Sequence, residues 1–523
     1  MYIIRNILVD ITDQRDLQLH VAERIKVNPA QISDLQIVRR SIDARKRGRL
    51  KFNFTVLCEL SGKFKSHPEI KPFQEKKPLI LPQKELNSDN PFIIGAGPAG
   101  LFAALALVEA GFSPYIFERG EAISERSKKV ENFWENAVLD PESNVQFGLG
   151  GAGTFSDGKL TSRGKDFYIN AVYDKLVQFG ADPEIKLDAL PHLGTDGVKL
   201  ITRNLRKYLE SKGCKFHFNS KMTDLQIDDG KVKKVQIAGS WYQPEILILA
   251  IGNAARDTFH LLNQKIEMVS KPFAVGFRIE HPQDYLNATF YGAQTDLTIV
   301  GPATYRLTAK QGTRGVYSFC MCPGGEVIGA ATEPGQIVTN GMSYSSREKF
   351  YGNSAIVTSV TADDFGAGAL AGMNFQRRLE ASCFDPEQPY YAPLQTAQDF
   401  MTKSSSSSVL ASSYRPMTYK ADLNKIFPKP IYSALKAGLA KFERTAPGFI
   451  ENGMLIAPET RTSSPVRMLR DRDNFSAQKI ENLFPIGEGS GYAGGIVSSA
   501  ADGYKLGKIF KRVTGTEPAN TTA

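Results

Sequence analysis

The stretch FIIGAGPAG, residues 92–100, decides how the rest of the chain is read. Apolar residues run into a Gly95-x-Gly97-x-x-Gly100 turn, and LFAALALVEAG, residues 101–111, leaves it as an apolar helix stopped by Gly111. PYIFERG, residues 114–120, supplies the next strand, and Glu118 ends it 23 positions beyond Gly95. Strand, glycine turn, helix and strand make a β-α-β unit in which each glycine has a task. Gly95 permits the tight turn, Gly97 lets the backbone approach a pyrophosphate, and Gly100 lets helix and strand pack closely. The helix N-terminus faces the anion with its unbonded N–H groups and the positive end of its dipole. A carboxylate at the end of the second strand suits a ribose hydroxyl and disfavours a 2′-phosphate, so Glu118 points to FAD or NAD rather than NADP.

A second glycine run, FGLGGAGTFSDG at 147–158, fits the same letter pattern through Gly148, Gly150 and Gly153. It lacks the context: no buried strand enters, no apolar helix leaves, and no acid ends a following strand. The reading is one dinucleotide turn plus one loop, with Gly150, Gly151 and Gly153, that faces the cofactor.

Further along, DGVKLITRNLRKYLESKG predicts an amphipathic helix ending at Gly213, and CKFHFNSKM the next strand. DLQIDDGKVKKVQI predicts a hairpin turning at Asp-Gly, and EILILAIGNAA a buried strand ending at Gly252. Residues 271–450 lose this rhythm and read as a separate β-rich or mixed domain. The serine run 404–408 is a loop within it. After residue 450 the strand-turn-helix pattern returns in NLFPIGEGSGYAGGIVSSAADGYKLGKIF.

The chain has 523 residues and a net charge of +9, with no apolar run long enough to span a membrane. MYIIRNILVD has too short an apolar stretch for a signal peptide, with Asp10 already in it, so a cytoplasmic location is expected. Five cysteines form no secreted disulfide framework, and no Cys/His spacing suggests a metal site. The segment RRSIDARKRGRLK, residues 39–51, carries seven basic residues and one acid. It reads as a solvated basic surface, with a phosphate or nucleic-acid patch as the rival reading; Phe52 and Phe54 are thin stacking partners.

The motifs GAGPAGLFAALALVEAG with ERG, QFGLGGAGTFSDGKLTS, HLGTDG, AIGNAARDTF, KPFAVGFRIEHPQ, SFCMCPGG with TNGMS, ETRTSSPVR and GEGSGYAGGIVSSAADG extend over nearly the whole sequence. Together they resemble the bacterial FAD-dependent dehydrogenases related to the glutathione-reductase-like flavoproteins. The resemblance implies an α/β fold: a Rossmann-like FAD-binding domain interrupted by a mixed α+β substrate domain, plus a small N-terminal α/β domain. The expected boundaries are 1–70 for the N-terminal domain and 71–90 for a proline-rich linker. The FAD-binding domain takes 91–270 and 451–515, the substrate domain 271–450, and a disordered tail 516–523. Gly95, Gly97, Pro98, Ala99, Gly100, Glu118 and Arg119 would then hold the ADP half of FAD. Met222 would lie by the adenine and Gly252 at a strand end near the cofactor. Gly487, Glu488, Gly494, Gly495 and Ile496 would meet the ribityl chain and flavin. The sequence departs from the family at Leu149, where a Glu is usual, and at Asn253 and Ala254, where His-Ser is usual.

The implied activity is hydride transfer between flavin N5 and a small organic substrate, with NADH or NADPH as a candidate electron donor. Asp157, Lys159, Arg278 and His281 are the candidate catalytic residues, with Glu280, Arg461 and Arg467 nearby in sequence motifs. An enzyme acting on RNA through the basic segment, or an inactive FAD-binding protein, are the alternatives. Cys320 and Cys322 are expected to be buried thiols on one face of a core strand, where a bridge between them would be strained.

Overall fold

In the strand Phe92–Ile94, Ile93 points to one face of a sheet and Phe92 and Ile94 to the other, as the period-2 geometry of a strand requires. This computed structural model describes residues 1–513 except 66, 76, 89, 163, 165, 166 and 405–410. All but the first residue of the serine run, and the whole tail 516–523, lie outside the described residues.

The glycine-turn strand is the centre of a five-stranded parallel sheet, ordered Leu483–Pro485, Leu247–Leu249, Phe92–Ile94, Tyr115–Phe117, Lys215–His217. The strands are short and their middles fully apolar, because both faces are covered. On one face lie the helices Pro98–Glu109, Phe167–Gln178, Gly194–Ser211 and Ile496–Gly507, packed around Ile93, Ile116 and Ile248. Helices Pro98–Glu109 and Ile496–Gly507 touch backbone to backbone: a Cβ at Gly503 would lie 2.0 Å from the Ala99 carbonyl oxygen. On the other face lies an antiparallel sheet of Met222–Asp228, Lys231–Ile237 and Ser240–Tyr242. Its first turn is the expected Asp-Gly hairpin, with Asp229 at φ +47 and Gly230 at φ +66, the two positive φ values of a type I′ turn.

The last strand and last helix of this body come from the end of the chain, after an excursion into an eight-stranded sheet. That sheet is built on the long antiparallel strands Phe273–Pro282, Arg314–Gly329 and Tyr351–Val360. In Phe273–Pro282 the odd residues Phe273, Val275, Phe277 and Ile279 join an apolar cluster with helix Lys429–Thr445. The even residues Arg278 and Glu280 bond on the opposite side, to Glu459, Asn340 and Asn353 and to Ser412 and Ser413. The sheet is thus oily on its helix side and polar around Arg278 and Glu280 on the other, where Ala274 packs on Ala355 and Val357.

The N-terminal residues form a four-stranded sheet, Ile32–Asp43, Lys51–Leu60, Tyr2–Asp10 and Ile70–Pro72, with helix Leu17–Ile25. Its basic turn is docked on the protein itself. Arg40 pairs with Glu184 at 2.6 Å and Asp188 at 2.8 Å. The Arg47 guanidinium donates to the Thr445 carbonyl at 3.1 Å and the Gly48 N–H to the Tyr291 carbonyl at 2.8 Å. Leu50 is buried with Tyr291 and Ala303. The proline-rich connector adds a strand of its own, Lys84–Leu86, beside Phe510–Arg512.

Candidate active site and cofactor cradle

Gly95 sits at φ +104, and a Cβ there would lie 2.3 Å from the Ala250 carbonyl oxygen; one at Gly100 would lie 2.0 Å from that of Gly95. No side chain fits either place. Gly97 caps helix Pro98–Glu109 in an extended conformation, φ −80, with Pro98 at the first helical position and Ala99 next. The second glycine run lies directly on the first. The Gly150 N–H donates to the Ala96 carbonyl at 2.9 Å, and a Cβ at Gly151 would stand 3.1 Å from the Gly97 Cα. Both runs belong to one site, as turn and facing wall.

Glu118 ties the two together. Its carboxylate accepts N–H bonds from Ala96 at 2.8 Å, Gly120 at 2.9 Å and Gly148 at 2.9 Å, from three separate loops. A carboxylate has about four lone-pair positions, so roughly one remains for a ribose hydroxyl. Arg119 is clasped by Glu142 at 2.7 Å and Asp257 at 2.9 Å and lies over the Phe147 ring at 4.1 Å. It is a clamp between loops. Met222 is buried in the cluster of Phe117, Leu225 and Leu249; two residues earlier, the Ser220 N–H donates to the Glu118 carbonyl at 2.8 Å.

One residue of this site is invisible in the sequence reading. Arg126, on the amphipathic helix Ile123–Asn136, is fully buried beneath the second glycine run. It donates to the carbonyls of Asn144 (2.8 Å), Val145 (2.8 Å), Leu149 (2.7 Å) and Gly151 (2.9 Å), and to those of Gly148 and the hydroxyl of Thr154 at 3.2 Å. Burial, with Glu118 only partly offsetting it, pulls its pKa down to about 9. The loop is therefore folded around a guanidinium. Leu149, at the position of the family Glu, is buried in the main core and gives its N–H to the Glu121 carbonyl at 2.9 Å.

At the far end Glu488 is oriented by the Asn253 amide at 2.8 Å, with the Gly495 N–H at 3.4 Å. Burial raises the Glu488 pKa. Asn253 thus fills the family's His position with a donor that cannot titrate, and Ala254 packs on Phe147. Gly487 lies against Ala99, whose Cβ a side chain there would approach to 2.6 Å. In contrast, a Cβ at Gly252, Gly494 or Gly495 would meet nothing within 4 Å. Gly495 opens helix Ile496–Gly507, and Ile496 touches Gly153 of the second glycine run. A close-packed turn with a buried acid at one end, and glycine-lined open space before a helix N-terminus at the other, fit FAD. Lys271 adds positive charge that opposes the effect of burial on Glu488, and burial and the neighbouring Arg467 in turn lower the Lys271 pKa.

Beyond Gly153 the loop delivers Asp157 and Lys159. Asp157 is almost fully buried and receives Arg347 at 2.7 and 3.1 Å, the Ser343 hydroxyl, and Lys159 at 2.9 Å. Burial opposes its charge, but Lys159 and Arg347 outweigh it and hold the carboxyl well below the usual range. Lys159 reaches on to Cys322 Sγ at 3.4 Å and Cys320 Sγ at 3.9 Å. Burial penalises its ammonium, yet the two sulfurs and Asp157 hold it well above the usual range.

Two expected catalytic residues need correction. All five N–H groups of Arg278 are taken, by Glu459 (3.0 and 3.3 Å), the Cys320 carbonyl (3.1 Å), Asn353 (2.9 Å) and Asn340 (3.1 Å). None is left for a substrate, and one of them holds the Cys320 carbonyl. His281 falls on the oily side of its strand, fully buried against Phe449 and Tyr285, with Nε2–H donating to the Phe449 carbonyl at 2.8 Å. It is a core histidine. Arg461 is locked on Glu380 (3.1 Å) and Thr332 (3.0 Å), while Arg467 lies over Tyr492. Among the described residues, no group of three or more His, Cys, Asp or Glu could hold a metal ion, and no helix is long and apolar enough to cross a membrane.

The family model for the FAD-dependent protein C-terminal domain matches residues 272–462, and one for a domain of unknown function matches residues 1–59. An uncharacterized protein of Clostridium beijerinckii is 40% identical over 520 residues, covering 96% of this chain and 97% of its own. Among solved structures, CtdE in complex with FAD matches with a TM-score of 0.30 and 11% identity over 80% of this chain and 82% of its own. A geranylgeranyl bacteriochlorophyll reductase-like protein from Thermoplasma acidophilum matches at 0.35 and 11% over 80% and 77%. L-amino acid deaminase from Proteus vulgaris matches at 0.34 and 11% over 84% and 92%.

Proposed function

This chain belongs to the family of the Clostridium beijerinckii protein, carries the C-terminal domain of the FAD-dependent proteins and has FAD as its cofactor; from that premise we propose that it is an FAD-dependent oxidoreductase acting on a small, polar organic substrate. In this reading the parallel sheet and its return strand form the FAD-binding domain, and the eight-stranded sheet is the substrate domain inserted into it. Gly95 to Glu118 hold the ADP half, the second glycine run covers it, and Gly252, Glu488, Gly494 and Gly495 flank the flavin. When bound, the flavin supplies a hydride acceptor and donor at N5.

The observation that carries the proposal is the Asp157–Lys159 pair. It hangs from the same loop that walls the cofactor turn, and it meets the polar side of the substrate sheet. Lys159 keeps 28% of its side chain exposed while Asp157 keeps 1%, so the amine is the member that can reach a substrate. Asp157, pinned by Arg347 and Ser343, fixes the Lys159 ammonium in place and keeps it charged. That ammonium attracts a carboxylate or phosphate and orients it. Asn253, fixed on Glu488, cannot titrate, so at this end the Glu488 carboxyl, whose pKa burial raises, is the group that can hold a proton.

The test is an anaerobic titration of the purified holoprotein with NADH and then NADPH, followed by candidate acceptors. Bleaching that Lys159→Met slows at least tenfold, with the FAD content unchanged, supports the assignment. Equal bleaching rates in wild type, Asp157→Asn and Lys159→Met remove this loop from the chemistry.

A further inference from the structure

The strand Arg314–Gly329 does not run regularly past its two cysteines. Its register against Tyr351–Val360 shifts between Phe319 and Cys322 and again between Cys322 and Gly325. Cys320 sits in the left-handed region at φ +49, a conformation that costs a non-glycine residue free energy and tends to gather at functional sites. The bulge breaks the regular alternation behind the expectation of two buried core thiols, and Cys320 is half-buried while Cys322 is buried. Both sulfurs instead come to one ammonium, Lys159 Nζ, at 3.4 and 3.9 Å. Cys322 Sγ donates to the Cys320 carbonyl at 3.3 Å. The Arg278 guanidinium holds that same carbonyl at 3.1 Å.

Among cysteines this arrangement is unlike the rest of the chain. Cys58, Cys214 and Cys383 are buried, and burial raises the pKa of each, Cys214 to about 12. Cys320 is half-buried and Cys322 buried. The neighbouring Cys322 thiol, with the Lys159 and Arg278 cations, lowers the Cys320 pKa against burial, while that of Cys322 rises. A sulfur held toward thiolate and a neighbouring thiol, both on one ammonium, have the parts of a nucleophile and its resolving partner.

We propose that Cys320 and Cys322 are a dithiol/disulfide couple that exchanges two electrons with the bound flavin. In the oxidising direction the S–S bond forms, the S–H bond of Cys322 breaks, and the thiol's proton and the pair's two electrons pass to the oxidised flavin. The thiolate charge leaves with them as the reduced flavin anion, so atoms and charge balance. Lys159 is positioned to hold the thiolate before the step and to be released to solvent or substrate after it. The couple itself rests on the bulge and the shared ammonium; only its electron partner rests on the flavoenzyme reading above.

The test begins with the wild-type holoprotein. After reduction with dithiothreitol and desalting, thiols are counted in denaturant with Ellman's reagent, then counted again after diamide. The count should fall from five, the number in the sequence, to three, and the peptide carrying both Cys320 and Cys322 should be lighter by two hydrogens. Five thiols after diamide, or a bridge elsewhere, overturns the couple. In the second arm, anaerobic dithionite titration of diamide-treated protein should consume about twice the electrons per FAD taken by Cys320→Ser or Cys322→Ser. Equal uptake by wild type and variants overturns the link to flavin. A colourless protein would count against the cofactor reading alone, because the thiol count needs no flavin.

Discussion

Replacing Arg126 with methionine removes the charge around which the second glycine run is folded and keeps the length and oiliness of the helix position. Four carbonyls, of Asn144, Val145, Leu149 and Gly151, then lose donors that stand between 2.7 and 2.9 Å away. A buried acceptor left without a partner costs about 1 kcal/mol at the low end, so the four together cost about 4 kcal/mol. Burying the guanidinium was itself unfavourable, which returns part of this and leaves a net of about 3 kcal/mol. The cost falls on residues 144–154 rather than on the sheet, so the loop should loosen and be reordered by the cofactor at the expense of binding. At about 1.4 kcal/mol per factor of ten, FAD affinity should weaken by about two orders of magnitude. Fluorescence titration of the apoprotein with FAD reads this directly, with thermal unfolding of the apoprotein as a check that the body of the protein stands. Arg126→Lys, which keeps one charged donor group, should fall between. An Arg126→Met protein that binds FAD within threefold of wild type would refute the idea that this guanidinium organises the cradle.

Glu118→Gln sets an amide N–H₂ against one of the N–H groups of Ala96, Gly120 or Gly148; we expect a loss of about 2 kcal/mol in denaturant unfolding and roughly tenfold weaker FAD binding. His281 makes stability pH-dependent. Burial pulls its pKa from 6.5 to about 4, so between these values the unfolded chain binds a proton that the folded chain does not. The stability is complete above pH 6.5 and declines as pH falls toward 4, by roughly 2 kcal/mol at pH 5. His281→Gln, which keeps a donor for the Phe449 carbonyl, should lose that part of the slope between denaturation curves at pH 7 and pH 5; an unchanged slope would assign the pH dependence to other groups.

Local patterns in the sequence reached far into this molecule. The run from Gly95 to Glu118 could be read because every partner it needs, strand, turn, helix and acid, lies within a short stretch. The Asp229-Gly230 hairpin was legible for the same reason. What could not be read depends on contacts between distant segments. Arg126 sits in a helix sequence, ISERSKKVENFWEN, that looks like an ordinary charged amphipathic face, and its acceptors appear only when the loop of residues 144–154 folds over it. The cluster Arg278, Glu280, His281 looks like one polar site in sequence, but alternation along the strand sends His281 into the oily face and the others to the polar one. Cys320 and Cys322 were read with that same alternation, and here a bulge broke it. Asn253 stood out only as a departure from the family and Lys271 only as the first residue of a motif, since their bond and charge act on Glu488, which follows them by more than two hundred residues.

The most direct test of the cradle is the FAD content and affinity of Gly97→Ala beside wild type. Gly97 has φ −80, open to any residue, and an added Cβ would meet only the Gly151 Cα, at an ordinary 3.7 Å. The apoprotein should therefore fold and unfold like wild type. Its methyl group stands between the two glycine runs, where the pyrophosphate of FAD would lie. Wild type should carry about one FAD per chain, and a folded Gly97→Ala should bind it at least tenfold more weakly. A folded Gly97→Ala that holds FAD as tightly as wild type would place the cofactor elsewhere and contradict the account.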